Sequence, residues 1–253
     1  KRAEFVMGST FDKQVLNKVV PEIDAIIHLA AFKSAGESML NPSVYTQNNI
    51  ESTLRLIDIM LSYNKKNIIF SSTAAVYGNP QYLPVDENHQ TNPINYYGFT
   101  KLMIENTLSW YRNLKGLNFI ALRYFNAAGY DKEKRIVNLE NKPQNLIPIV
   151  MECAAGIRQS MQIFGDDYNT PDGTCLRDYI HVTDLAKAHI KALRRINDNN
   201  TIFINLGTGY THSVYDVIRT VEKITSEKIN YSVTNRREGD PANLYSSSSF
   251  AKE

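Results

Sequence analysis

Tyr97 and Lys101 stand at the two ends of Tyr97-Gly98-Phe99-Thr100-Lys101. On a helix, this interval puts both side chains on one face, one turn apart. A free tyrosine, with a pKa of about 10, is a poor base at neutral pH. An ammonium held beside it favours the phenolate and lowers that pKa. A tyrosine so tuned can take the proton of a hydroxyl group as hydride leaves the same carbon. Alone the pair is weak evidence, because both residue types are common on helices. Its meaning depends on what surrounds it.

Four other segments carry chemistry, and each has a bland alternative. Phe70-Ser71-Ser72-Thr73-Ala74-Ala75-Val76-Tyr77-Gly78 follows a strand-like run and ends at the carboxyl edge of a sheet, where α/β proteins bind ligands. Thr73 can donate and accept hydrogen bonds there; the alternative is a Ser/Thr-rich turn. Leu29-Ala30-Ala31-Phe32-Lys33 also lies at a strand end, and its small residues permit either a cofactor or a tightly packed helix. Asn48-Asn49, on the helix that follows, is equally compatible with solvated surface. Arg177-Asp178-Tyr179-Ile180-His181-Val182 and Arg236-Arg237-Glu238-Gly239-Asp240 supply guanidinium forks suited to a diphosphate. Their alternative is an ion pair within each motif. His181 reads as structural.

These residues need a scaffold, and the apolar pattern provides one. Short, continuously apolar runs at 25–30, 67–71, 118–124 and 202–206 suit strands covered on both faces, as in a parallel sheet. Helical patterns lie between them. Thr53, Ile57, Met60 and Leu61 share a face after Pro42, a residue suited to a helix start. Tyr97, Lys101, Ile104, Leu108 and Tyr111 share another, ended near Gly116. Ser213 caps Val214, Val217, Ile218, Val221 and Ile224. Strand–helix alternation predicts an α/β fold with a doubly wound parallel sheet of Rossmann type over residues 1–126. Beyond Tyr124 the chain turns rich in Gly and Pro. This predicts a smaller, mainly irregular substrate-binding domain over 127–253, with about 176–210 returning to the main sheet.

Bulk properties narrow the class. In 253 residues, 43% are hydrophobic and 21% charged, and the net charge is +2, so a globular core is expected and a nucleic-acid partner is not. No stretch reaches the ~20 apolar residues of a membrane span. The N-terminal residues run into a strand-like Phe5-Val6-Met7 with no apolar leader. Cys153 and Cys175 are expected as free thiols in a reducing, cytoplasmic setting. No metal-ligand spacing occurs.

Taken in register, the motifs resemble the UDP-glucose 4-epimerases of the extended short-chain dehydrogenase/reductase family. The likeness covers Phe5 to about Ala251 and includes Phe125-Asn126, Asn145-Leu146, Gln162-Ile163-Phe164-Gly165 and Asp184-Leu185-Ala186. It implies Tyr97 as the acid/base, Lys101 as its tuning cation and a holder of the nicotinamide ribose, and Thr73 as a partner of the reacting hydroxyl. It implies an NAD site lined by Ala30, Ala31, Phe32, Lys33, Asn48, Ser71 and Tyr124. Asn126, Asn145, Leu146, Gln162, Phe164, Arg177, Arg237 and Asp240 would hold a UDP-sugar, and Leu244 would leave room for an N-acetyl group at the sugar C2. The implied reaction oxidises the sugar at C4 through bound NAD, turns the 4-keto sugar and reduces its other face.

Related dehydratases place acidic residues directly after the threonine, where this chain has Ala74 and Ala75. The resemblance also implies a chain that starts near the family's third strand, without the Gly-x-x-Gly-x-x-Gly loop that cradles a pyrophosphate, and that stops before the family's C-terminal tail. On that reading this stretch by itself binds NAD poorly. Ser9 stands where an acidic residue is expected, and Gly207-Thr208-Gly209 is no substitute for the loop. An NAD(P)-dependent keto-sugar reductase and a non-catalytic nucleotide-sugar binder remain alternatives. Family members pair two helices into a homodimer. The counterparts lie near 42–63 and 97–114, although the sequence shows no clear exposed apolar stripe there.

Overall fold

The computed structural model describes residues 3–136, 140–197 and 203–252. Two compact units make up the chain. The first comprises Lys1–Val76, Pro93–Arg123 and Ala188–Ile204; the second comprises Tyr77–Asn92, Tyr124–Lys187 and Asn205–Glu253. A single boundary at residue 126 therefore gives way to an interleaved division. The reason is topological: a late strand that completes a sheet of earlier strands carries its own stretch of chain back to them.

In the first unit the four apolar runs form strands β1 (Ile26–His28), β2 (Asn67–Thr73), β3 (Asn118–Tyr124) and β4 (Phe203–Leu206). They lie in the order β1-β2-β3-β4, and β1 runs parallel to β2 with Ile26 opposite Ile68 and His28 opposite Phe70. Consecutive Ile68, Ile69 and Phe70 are all buried, as expected of a strand covered on both faces. Phe5-Val6-Met7 forms no strand; Phe5 and Met7 are exposed and have no sheet neighbour to pack on. Among the described residues of the stretch 176–210, only β4 joins the main sheet. Leu176–Arg177 and Tyr179–His181 pair instead with strands of the second unit.

Two helices complete the first unit's core. Helix α1 (Ser52–Ser62) continues a helical stretch that starts at Pro42 and passes through a wider π-turn at Thr46–Glu51. That turn contains Asn48 and Asn49; such bulges often accompany functional sites. Helix α2 (Tyr96–Lys115) is capped by Asn95, whose Oδ1 accepts from Gly98 N at 2.8 Å, and ends at Gly116 in the left-handed conformation. Leu56, Ile57 and Met60 of α1 and Ile104 and Leu108 of α2 form one core with Ile68, Phe70 and Phe119. The opposite face of α2 carries Phe99, Met103, Trp110 and Leu114, exposed by 42, 44, 66 and 69%. These four positions fall within one helical sector, a stripe hidden in the sequence among the core-facing apolar residues.

The second unit has its own core. Helix Leu146–Ala154 packs with helix Val214–Thr225 over the parallel strands Met161–Phe164 and Tyr231–Thr234, burying Val150, Ile163, Val217, Ile218 and Val221. The Ser213 cap is a full capping box with Asp216. Strand Leu176–Arg177 lies between Asn243–Leu244 and His212–Ser213. The described residues of 127–175 are mainly irregular around the helix Leu146–Ala154 and the strand Met161–Phe164, as the Gly and Pro content suggests. No helix among the described residues is long and apolar enough to cross a membrane.

His28 connects this packing to acid stability. It is buried, stacks on Phe70, and lies with Nε2 2.8 Å from Thr53 Oγ1. Thr53 gives its own proton to Asn49 O at 2.6 Å, so His28 Nε2 is the donor. Burial, aided by the Lys101 charge, pushes its pKa from 6.5 down to about 4. The folded state therefore binds fewer protons than the unfolded chain between these values. Stability is full above pH 6.5 and falls as the pH drops toward 4, by on the order of 3 kcal/mol from this residue. Thermal melts between pH 7 and 4.5 should show that loss, and His28→Gln should flatten the slope between pH 6.5 and 5.

Candidate active site

In the first unit, the residues singled out from sequence converge where β1 and β2 end against α2. Tyr97 and Lys101 share one face of α2, and Lys101 is 3% exposed. Lys101 Nζ donates to Ser71 O at 2.8 Å and lies 4.8 Å from the Phe70 ring centre and 6.0 Å from that of Tyr97. Thr73, at the end of β2, lies beside the Tyr97 phenol and acts on it to lower its pKa. The Tyr97 backbone N–H, unsatisfied within the helix, donates to Ser38 Oγ at 2.9 Å. Gly98 has a steric role: a Cβ there would lie 2.6 Å from the carbonyl oxygen of Ala75, so the first turn of α2 rests directly on the backbone that follows β2.

The electrostatics differ in one respect from the tuning expected. Burial pushes the Tyr97 phenol up to about 12, with Thr73 opposing. Burial also brings Lys101 down to about 7, with the Glu105 charge opposing. Desolvation acts on both groups at once and outweighs any pull of the ammonium on the phenol.

The loop after β1 holds Ala30, Ala31, Phe32 and Lys33, and Asn49 fixes it. Asn49, fully buried, accepts from Phe32 N at 2.8 Å and donates to Phe32 O and to Thr100 Oγ1, both at 3.1 Å. Thr100 Oγ1 in turn donates to Tyr97 O at 2.7 Å. Asn48, the residue favoured from sequence, donates to Asn49 Oδ1 at 3.1 Å and stays half-buried. Tyr124 ends β3 and is half-buried.

The second unit gathers most of the remaining candidates. Gln162 and Phe164 share the outer face of their strand, while Met161 and Ile163 face the core. The Arg237 guanidinium lies over the Phe164 ring at 4.2 Å. Arg177 pairs with Asp240 at 3.6 Å and stands opposite Leu244 in the sheet, which unites the two arginine motifs. Neither motif forms the internal ion pair considered from sequence. Asp178 is fully buried and accepts from Thr208 N at 2.8 Å, Thr208 Oγ1 at 2.6 Å, Gly209 N at 3.0 Å and Ser246 Oγ at 3.1 Å. The amides of Thr208 and Gly209 are therefore already committed to a carboxylate. Asn126 Nδ2 donates to Asp178 O at 3.0 Å. Asn145 is exposed at the start of helix Leu146–Ala154 without capping it, and Leu146 is half-buried. No cluster of metal-ligating side chains occurs among the described residues.

Residues 1–207 match the model of the NAD dependent epimerase/dehydratase family. The chain belongs to that family. The UDP-glucose 4-epimerase of Streptococcus mutans is 40% identical over 255 residues, 99% of this chain and 77% of the relative. Among solved structures, the UDP-glucose 4-epimerase of Brucella ovis in complex with NAD superposes with a TM-score of 0.94 at 39% identity, over 99% of this chain and 78% of that one. That of Bifidobacterium longum in complex with NAD+ and UDP gives 0.93 at 40% identity, over 97% and 75%.

Within this epimerase/dehydratase chain, sequence reasoning missed Ser38 and Glu105, and within the segments it quoted it chose Asn48 and Arg177 over their neighbours Asn49 and Asp178; all four overlooked residues are buried and polar. Glu105 left a spacing signal, one turn beyond Lys101 on the same face. Replacing Gly98 by alanine should force the start of α2 off the Ala75 carbonyl. We expect Gly98→Ala to cost about 1–3 kcal/mol in a denaturant titration, and to reduce turnover further than Ala substitution at exposed Phe99.

Proposed function

We propose that the protein is a UDP-glucose 4-epimerase, interconverting UDP-glucose and UDP-galactose and admitting their N-acetyl forms past Leu244, with NAD as its cofactor. The observation that carries this reading is the arrangement of Thr73, Tyr97 and Lys101: a phenol beside a threonine, with a buried cation one helical turn away. The relatives that share the fold support the choice of substrate.

The residues present fit the nicotinamide end of the dinucleotide. Lys101 is a desolvated cation that donates to one carbonyl, that of Ser71, so it has donors left for ribose hydroxyls. Ala30 and Ala31 put little bulk on a loop whose backbone Asn49 holds, and Phe32, Lys33, Asn48, Ser71 and Tyr124 complete the proposed lining. NAD, when bound, supplies the hydride acceptor and donor for the sugar C4. The chain's own residues handle the proton. Tyr97 Oη takes it from the 4-hydroxyl and returns it once the 4-keto sugar presents its other face. Thr73 orients that hydroxyl. Lys101, when protonated, would favour the phenolate against the burial that holds Tyr97 near 12. Arg177 and Arg237 face the diphosphate, Phe164 the base, and Asn126, Asn145, Leu146, Gln162 and Asp240 complete the UDP-sugar set. With alanine at 74 and 75, no carboxyl follows Thr73 to drive water elimination.

Incubation with UDP-galactose and NAD+ should yield UDP-glucose without accumulating NADH. Tyr97→Phe should lower the rate by about 10²–10⁴-fold while UDP binding, read by calorimetry, is kept. Net NADH formation would instead assign a dehydrogenase or reductase.

The same reading places the enzyme in the cytoplasm, where Cys153 and Cys175 stay reduced, and makes it a homodimer through the Phe99, Met103, Trp110 and Leu114 stripe. Contiguous exposed apolar residues of this kind mark association surfaces. Sedimentation should give a dimer that Trp110→Asp converts to monomer; a wild-type monomer at every concentration would remove the assignment.

A further inference from the structure

Glu105 has no place in the proton chemistry described above, yet it is among the most buried charged residues of the first unit, at 1% exposure. It sits one turn beyond Lys101 on α2, as Lys101 sits one turn beyond Tyr97. Arg123 of β3 grips it with both ends of its fork, Nε to Oε1 at 2.9 Å and Nη2 to Oε2 at 2.7 Å. Ser72 of β2 donates to Oε1 at 2.5 Å. The neighbouring Ser71 supplies the carbonyl that Lys101 reaches. Consecutive residues of β2 thus receive consecutive turns of α2, one through the ammonium and the next through the carboxylate.

The charges around Lys101 can be enumerated by element. On α2 they are Tyr97 and Glu105. From β1 comes His28, held neutral; β2 contributes Thr73 and the Phe70 ring; from β3 comes Arg123; and Tyr45 lies on the preceding helix beside Tyr97. Glu105 is the one carboxylate in this group.

We infer that Glu105 is a positioning residue for the reaction, which registers α2 on β2 and β3 through Ser72 and Arg123 and supplies the anion that faces the Lys101 ammonium. This rests on the role given to Lys101 under the proposed function, and its first test does not depend on turnover. A buried alkylammonium near neutral pH loses its proton unless an anion is close. Desolvation pulls Lys101 down and the Glu105 charge opposes it, in agreement with this geometry. A phenolate at Tyr97 needs the protonated ammonium, so the carboxylate two turns away sets the upper pH limit at which the pair can work.

The protein labelled with ¹³C at lysine Cε can be titrated by NMR, with the Lys101 resonance assigned by its loss in Lys101→Met. In Glu105→Gln, which keeps the side-chain shape, the Lys101 midpoint should fall by roughly one pH unit or more. Glu105→Gln combined with Arg123→Met leaves neither charge buried, and serves where the single variant does not fold; there the midpoint should fall by a smaller amount. The alkaline limb of the kcat profile for epimerisation should move down with the midpoint while KM for the UDP-sugar holds. A Lys101 midpoint equal to wild type in a folded variant, with only the melting temperature lowered, would reduce Glu105 to a structural ion pair and overturn the inference. A shifted midpoint with no epimerisation in the wild type would leave the inference about Glu105 and Lys101 standing and count against the proposed reaction alone.

Discussion

The Arg123–Glu105 ion pair, buried between α2 and the sheet, is the constraint on which the first unit depends. Both partners are almost fully shielded from water, and Arg123 also stacks on Phe203 at 4.5 Å. Two charges in such a place are tolerated because the fork is bidentate and Ser72 satisfies a further lone pair of the carboxylate. Removing one partner of a buried pair costs about 3–5 kcal/mol, although a well-packed apolar replacement of both can be neutral. A pair of this kind therefore makes little net contribution to stability. What it confers is register: α2 cannot slide or rotate by a turn without leaving a charge unpaired, and Tyr97 and Lys101 are aimed by that requirement.

The start of the same helix is fixed by different means. Gly98 allows backbone-to-backbone contact with Ala75, Asn95 caps the first turn, and Ser38 takes the Tyr97 amide. Asn49 ties the loop after β1 to Thr100 on α2. Tyr97 is consequently held through its backbone from several directions, which leaves its hydroxyl, beside Thr73, as the part available for chemistry. The second unit uses an analogous device. Asp178, buried and satisfied by amides and hydroxyls, draws the Gly207–Gly209 loop and Ser246 together, and a side chain at Gly207 would collide with it. In each unit a buried carboxylate organises the elements that present functional residues.

Much of this was legible in the amino-acid sequence. Continuous apolar runs, Pro42, Ser213 and Gly116 determine the strands, the helix starts and the helix stop, because local sterics and backbone hydrogen bonding are properties of short segments. The spacing of Tyr97 and Lys101 determines that they share a helical face, and the order of the motifs identifies the family. Other features depended on three-dimensional packing. The interleaved units, the partners of Asp178 and Arg177, the stripe on α2, the role of Asn49 beside Asn48 and the sign of the Tyr97 shift all arise from residues distant in sequence. A carboxylate's partner is whichever donor the fold brings within about 3 Å, and a phenol's acidity follows from how much water the fold removes around it.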